Sequence, residues 1–524
     1  KLKISQKEGF MLNRMFVVLT TIFLSSSVAF AEESERTVTE IINDIMTPIS
    51  SGIDMVVFYS IPMNWIYEGA PDFPLIVVWL FGGAVFFSFY MNFINFRGFK
   101  QSLKIVRGVY DNPNDPGEVT HFQALTAAVS GTVGLGNIAG VALAISVGGP
   151  GATFWMILCG LFGMTSKFVE CTLGLKYREI DKNGVVSGGP MYYLSKGLAN
   201  RGLPNLGKFL AVVAAMICIG GAYGAGAMFQ VNQSSAQFTN EIVALTGGGD
   251  SFFYGKPWIF GFVYLIMVGL VIIGGIKKIT HVTEFLVPIM AITYITAAMV
   301  IIFSNASEIP HAFAQIFTGA FTAEGVTGGI IGVMIQGLRR ASFSNEAGLG
   351  SASIAHSAAK TNEPVAEGLV ALLEPFIDTV VICTITALVI IVTGSADPNA
   401  TEGIVLTSRA FATVADWFPY LLTIAVILFA FSTSITWFYY GQRAFLYLFG
   451  NNKNADLAFK VSYLVVLFMG SAMALGPLMG IADSLLLAMG VPNILGLFLL
   501  RKEVKAMLVS YFERIRSGEI KENS

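Results

Sequence analysis

Charge is what this chain has least of: 13% of its 524 residues are Asp, Glu, Lys or Arg, about half the share in a soluble protein. A length that could otherwise supply about three or four soluble domains lacks the polar groups to surface them. Cysteine is scarce too. Cys159, Cys171, Cys218 and Cys383 stand singly in apolar stretches, which excludes a disulfide framework or a thiolate metal site. The four histidines, His121, His281, His311 and His356, lie far apart, outside any HExxH pattern and near the edges of apolar segments; structural or interfacial roles fit them. There is no GxSxG nucleophile motif and no His/carboxylate metal set, so nothing supports an enzyme. A net charge of −2 and a pI near 6.2 exclude a nucleic-acid binder held by a basic surface.

What the chain has in excess is apolar length. Hydrophobic residues make up 54% and mean hydropathy is +0.68. Runs long enough to span a bilayer recur near 74–96, 121–148, 151–175, 207–231, 257–275, 282–303, 326–355, 368–393, 419–447, 456–475 and 481–500. The pattern predicts an all-α polytopic membrane protein with eleven transmembrane helices. Ahead of them, Asn13 and Arg14 lead into a short apolar run, Met15 to Phe30, that closes in Ala29-Phe30-Ala31 and turns acidic at Glu32, Glu33 and Glu35. Residues 1–31 read as a signal peptide or an uncleaved anchor, and 32–73 as an extracytoplasmic segment. Lys and Arg crowd the loops 97–120, 176–208, 276–281, 356–367 and 443–460 and the tail 501–524, whereas the opposite loops hold Arg36, Lys256 and Arg409. By the positive-inside rule the mature N-terminus lies outside and the C-terminus in the cytoplasm.

Two of these segments are unlike the rest. Ser130-Gly131-Thr132-Val133-Gly134-Leu135-Gly136-Asn137 places three glycines in six residues, and Arg339-Arg340-Ala341-Ser342-Phe343-Ser344-Asn345-Glu346-Ala347-Gly348-Leu349-Gly350-Ser351 combines glycines with charges. Each glycine weakens a helix by about 1 kcal/mol relative to Ala. Glycines such as Gly160, Gly163, Gly220, Gly221, Gly224 and Gly226 are explained by close helix packing, but clustering with Asn, Ser and Glu is not. Irregular backbone at membrane depth must be enclosed in protein or line a cavity, where half-helix N-termini attract a carboxylate and unwound carbonyls hold a cation. With the first span set aside, a broken helix opens each group of five, the arrangement expected of an inverted repeat over 121–303 and 326–500.

The runs GTVGLGNIAGVA (131–142), GGPMYYL (188–194) and RRASFSNEAGLGSA (339–352) resemble the alanine or glycine:cation symporter family, bacterial sodium:alanine symporters of the amino acid–polyamine–cation superfamily. The similarity extends over about residues 74–500. It implies a leucine-transporter-like fold, a ten-helix core of five plus five with one extra N-terminal helix at 74–96, in the bacterial cytoplasmic membrane. The implied activity is import of alanine, glycine or another small neutral amino acid with sodium, by a chain that works as a monomer in the lipid bilayer. A relative of the same fold with another small amino acid or proton coupling remains the main alternative, ahead of an ion channel.

The VGLGN run is also shared with the leucine-transporter family. That likeness implies one sodium held by the carbonyls of Ser130, Val133 and Ala430 and the hydroxyls of Thr433 and Ser434, unless those hydroxyls bond back to their own helix. Thr132, also a candidate substrate contact, and Asn137 would belong to a second site. The substrate carboxylate is expected at the amides of Leu135 and Gly136, with Gln230 in reach or capping its helix. The ammonium is expected around Phe343, Ser344 and Asn345, and Trp437, three residues after Ser434 and on roughly its helix face, either limits the pocket or packs. Among the charged residues, Lys167 and Glu170 are expected to pair. Glu346 is a natural partner for Arg339 and Arg340 or a gate element, and Glu374 and Asp378 are candidates for a gate or proton relay.

Overall fold

The computed structural model describes residues 38–522, apart from Tyr67, Gly69, Pro113, 323–328 and 397–402. The segment expected to be a signal peptide, 1–31, lies outside the described residues. The architecture is helical throughout, with two antiparallel ladders of two residues each, Ser60–Ile61 with Phe73–Pro74 and Glu179–Ile180 with Val186–Ser187.

The helices used below are α1 (Val38–Val57), α2 (Leu75–Tyr90), α3 (His121–Thr132), α4 (Gly136–Gly148), α5 (Ala152–Lys176), α6 (Pro204–Leu245), α7 (Trp258–Ile272), α8 (Gly275–Ser304), α9 (Gly329–Asn345), α10 (Ala352–His356), α11 (Pro364–Val392), α12 (Phe418–Phe449), α13 (Lys453–Gly470), α14 (Leu475–Ala488) and α15 (Gly490–Arg516). A helix or helix pair lies over each predicted apolar run, with different ends; the run read as 207–231 belongs to the longer α6. Among the described residues, six helices are long and apolar enough to cross a bilayer, and the bent pair α3–α4 makes a seventh.

Both interruptions are present, and each has its own chemistry. Helix α3 opens on a Thr120 capping box closed by Gln123 and stops at Val133, whose ψ of 84° leaves the helical region; α4 resumes at an angle of 50°. The side chain of Asn137 replaces a lost backbone partner by accepting from the Gly134 amide at 2.9 Å. The second break starts later than the composition suggested, because α9 stays helical through Asn345. Glu346, Gly348 and Gly350 then take φ values of 55°, 84° and 87°. A non-glycine residue in that region is uncommon and marks Glu346 as held by its surroundings. Neighbouring helices satisfy the freed backbone: Glu170 Oε2 accepts from the Gly350 amide at 3.1 Å, and Asn493 Nδ2 donates to the Gly348 carbonyl at 2.7 Å.

Packing brings the breaks together. Helix α5 lies against α2, α9 and α11, while α12 lies against α3, α6 and α8. The glycines expected to serve packing do so. A Cβ at Gly163 would sit 2.8 Å from that of Ala347, and one at Gly224 would sit 3.1 Å from Ala482 Cα.

Candidate functional site

Between the two breaks lies a narrow cavity of about 10 Å³, room for about one water molecule, lined by Gly131, Thr132, Gly136, Ala225, Gln230, Phe343, Glu346, Trp437 and Leu486. Five of the residues expected at the substrate, Thr132, Gly136, Gln230, Phe343 and Trp437, therefore share one wall system. Gln230 sits midway along α6 rather than near its end, just after a π-helical stretch, Ala222–Met228. Its Oε1 accepts from the Leu135 amide at 3.1 Å, and its Nε2 donates to the Ala225 carbonyl at 3.0 Å. The half-helix amide expected to meet a carboxylate is thus already bonded to a carbonyl oxygen of similar geometry.

Glu346 faces this cavity and not the arginines. Trp437 Nε1 donates to its Oε1 at 3.0 Å and to the Gly131 carbonyl at 3.3 Å, while Ser351 Oγ donates to its Oε2 at 2.5 Å. The indole thereby ties the first break to the second. A Cβ at Gly226 would collide with Trp437 Cβ, so the ring is pressed into the cavity wall. Arg339 and Arg340 instead converge on Asp483 of α14: Arg339 Nε donates at 2.9 Å, and Arg340 makes a shorter contact with the same oxygen. Phe343 closes the space below them, edge-on to Phe229 with ring centroids 5.2 Å apart. Asp483→Ala would leave the buried Arg340 without its counter-ion, a loss of about 3–5 kcal/mol. A lowered midpoint of thermal unfolding in detergent micelles is the expected result.

Ser344 and Asn345 turn away from the cavity, because the helix continues through them. Ser344 Oγ donates to Asp378 Oδ2 at 2.8 Å, and Asn345 Nδ2 donates to Thr379 Oγ1 at 3.1 Å. Asn137 Nδ2 donates to the other oxygen of Asp378 at 2.6 Å. Asp378 is therefore a buried carboxylate that links one break to the other.

The seam between α3 and α12 brings some of the expected sodium ligands together. Thr433 Oγ1 donates to the Ser130 carbonyl at 2.9 Å and so reaches across to α3 instead of bonding back to its own helix. Ser130 Oγ donates to the Ser432 carbonyl at 2.7 Å. Ala430 is buried one turn before Thr433, and Val133 caps α3. Ser434 is on another face: its Oγ is 3.1 Å from the Tyr264 hydroxyl, and Tyr463 donates to its carbonyl at 2.7 Å. Trp437 thus shares its face with Thr433, four residues back, and not with Ser434. Thr132 Oγ1 bonds back to the Ala128 and Val129 carbonyls, each at 3.3 Å.

The remaining charges pair across helices. Lys167 Nζ is 3.0 Å from Glu374 but 3.9 Å from Glu170, so its nearer partner is on α11 and not one turn along its own helix. Sequence reasoning passed over Asp483, Glu367 and Asn493. The one usable signal was that Asp483 and Asn493 are polar within an apolar run, where polar groups face the protein interior; Glu367 fell in the loop read as 356–367.

A model of the sodium:alanine symporter family matches residues 60–524. The chain belongs to the sodium:alanine symporter family. It is 40% identical over 452 residues to the sodium/alanine symporter AgcS of Methanococcus maripaludis, covering 86% of this chain and 96% of that one. It is 32% identical over 448 residues to a Bacillus subtilis protein described as "Probable sodium/glutamine symporter GlnT", covering 85% and 89%. Among solved structures, MhsT in complex with L-phenylalanine matches with a TM-score of 0.53 at 17% identity, covering 73% of this chain and 89% of that one. The fold is accordingly leucine-transporter-like, and membership of the symporter family makes this chain an amino-acid transporter of the membrane rather than an enzyme.

Proposed function

We propose that this symporter carries alanine, glycine or a similarly small neutral amino acid into the cell with sodium, by alternating access. The observation that carries the reading is the small cavity between two helix breaks, with half-helix amides on one side and the Glu346 carboxylate on the other. A zwitterion fits that polarity. Its carboxylate would take the Leu135 and Gly136 amides, with Gln230 turning its amide N–H toward it, and its ammonium would face Glu346. Trp437 and Phe343 leave no room for a long side chain. Eleven spans, with an inverted five-plus-five core, the C-terminus in the cytoplasm of a bacterial cell and a functional monomer, complete the proposal.

Sodium is placed by the same reasoning at the α3–α12 seam. The Ser130 and Val133 carbonyls, the Ala430 carbonyl and Thr433 Oγ1 are neutral oxygens that suit a hard monovalent cation, and Ser434 would join after releasing Tyr264. Ser344 and Asp378 offer a second group of oxygens, which Asn137 would join by turning its amide oxygen away from the Gly134 amide. Gly134→Ala probes the first site directly, because the added Cβ would stand 2.5 Å from Thr433 Oγ1. Overpacking of about 1–3 kcal/mol corresponds to a roughly 5- to 150-fold weaker apparent sodium affinity, read from the sodium dependence of uptake.

Binding linkage tests the coupling without transport. If sodium tightens alanine, alanine must tighten sodium by the same factor. Calorimetric titration of purified protein with alanine, in sodium and in choline chloride, is expected to show tighter binding in sodium; equal affinities would remove the coupling.

A further inference from the structure

Six buried titratable side chains on four helices form one continuous chain that the cavity and sodium sites do not use. His121 of α3 and His356 of α10 both point Nδ1 at Glu367 of α11, His356 at 2.5 Å. His356 Nε2 stands 3.8 Å from Glu374 Oε2, and Glu374 Oε1 is 3.0 Å from Lys167 of α5. Lys167 in turn neighbours Glu170, which holds the Gly350 amide of the second break. At the other end His121 Nε2 lies 3.8 Å from Asp111, whose side chain is 41% exposed. Cys171 of α5 and Tyr440 of α12 also interact with Glu374. Arg178 interacts with Glu367, but its guanidinium is committed to the carbonyls of Pro116, Ser357, Ala359 and Thr361.

The hydrogen count of this chain is constrained. Ionised carboxylates only accept, so both Nδ1 atoms at Glu367 carry protons. Glu367, Glu374 and Glu170 outnumber the one ammonium, with Glu346 also facing Lys167 from the second break, and buried charges must be compensated; a proton on each imidazole supplies part of the balance. For His356 that proton sits on Nε2 and faces Glu374 Oε2 at 3.8 Å, and neither atom has a hydrogen-bond partner among the described residues. Without it, a lone pair would face a carboxylate oxygen.

We infer that this chain is a proton-sensing joint open to the cytoplasm. Loaded with the His356 proton, it fastens α3, α5, α10 and α11 into one body that carries both breaks through the transport cycle. Release of that proton in an alkaline cytoplasm loosens α10 from α11 and slows turnover, and the proton is a signal, not cargo. The inference rests on the proposed transport of alanine and on the proposed orientation.

The experiment uses full-length protein in proteoliposomes, with a fixed inward sodium gradient, clamped membrane potential and external pH held constant while internal pH is varied. Initial alanine uptake is expected to fall roughly threefold or more between internal pH of about 7 and 9, with unchanged KM for external alanine. His356→Gln and, separately, His121→Gln are expected to flatten or displace that profile. A wild-type rate that ignores internal pH would overturn the joint, as would variants with the wild-type profile. Alanine accumulation driven by a pH gradient without sodium would also overturn it, by making the proton cargo. No uptake at any internal pH would instead defeat the transport reading on which the joint rests.

Discussion

Asp378→Ala is expected to reduce sodium-driven alanine uptake by about 100-fold or more. Asp378 is fully buried and accepts from Asn137 at 2.6 Å, Ser344 at 2.8 Å and Thr379 at 2.6 Å. Truncation removes the carboxylate partner of these donors and leaves Asn137 the Asp378 carbonyl at 3.1 Å and Ser344 the Cys383 sulfur at 3.3 Å as weaker partners; a lost bond costs about 1–3 kcal/mol, and two such losses amount to about a hundredfold. The loss falls on function because the donors sit on different breaks: Asn137 belongs to the turn after α3 and Ser344 to the last turn of α9. Asp378→Asn separates charge from shape. If the carboxylate helps hold sodium, the asparagine variant should be recovered as a monodisperse protein but require far more sodium for half-maximal uptake. A variant with wild-type sodium dependence would reduce Asp378 to a structural tie.

The second large effect is expected at Trp437. Its indole N–H is shared between Glu346 and Gly131, so Trp437→Phe keeps a large ring while removing the donor. Hydrogen bonds to charged groups are worth about 1.5–3 kcal/mol, so alanine transport should fall roughly 10- to 100-fold. Trp437→Ala removes the wall as well. Alanine uptake should then fall further while competition by glutamine, expected to be weak in the wild type, becomes stronger. The comparison is read from initial rates of radiolabelled alanine uptake with unlabelled glycine, alanine and glutamine as competitors. Unchanged competition in Trp437→Ala would show that the ring does not set the size limit.

The contrast between what the sequence made legible and what it hid has a physical basis. Hydrophobic run length located the helices, and glycines accompanied by Asn and Glu located both interruptions, because those are local properties of the chain. Thr433 was also legible, and its bond to Ser130 realises the expected meeting of α12 with the first break. Orientation around a helix was harder. Reading the second break from Arg339 onward hid the fact that α9 stays helical to Asn345, which turns Ser344 and Asn345 toward Asp378 and leaves Glu346 facing the cavity. A three-residue offset suggested that Trp437 sided with Ser434, whereas the ring shares the face of Thr433. Ion pairs were least legible. Lys167 and Glu170 satisfied the spacing rule on one helix, yet a nearer oxygen came from Glu374, and Arg339 and Arg340 found Asp483. Such partners depend on which helices become neighbours, and no short-range pattern encodes that.

Coupled transport is the central claim, and uptake against a concentration gradient measures it most directly. Purified protein in proteoliposomes loaded with potassium is diluted into radiolabelled alanine, with sodium outside in one arm and equal sodium on both sides in the other. Alanine should accumulate above its external concentration in the first arm and only equilibrate in the second, and a sodium ionophore should release what was accumulated. Equal uptake in both arms, untouched by the ionophore, would contradict the account.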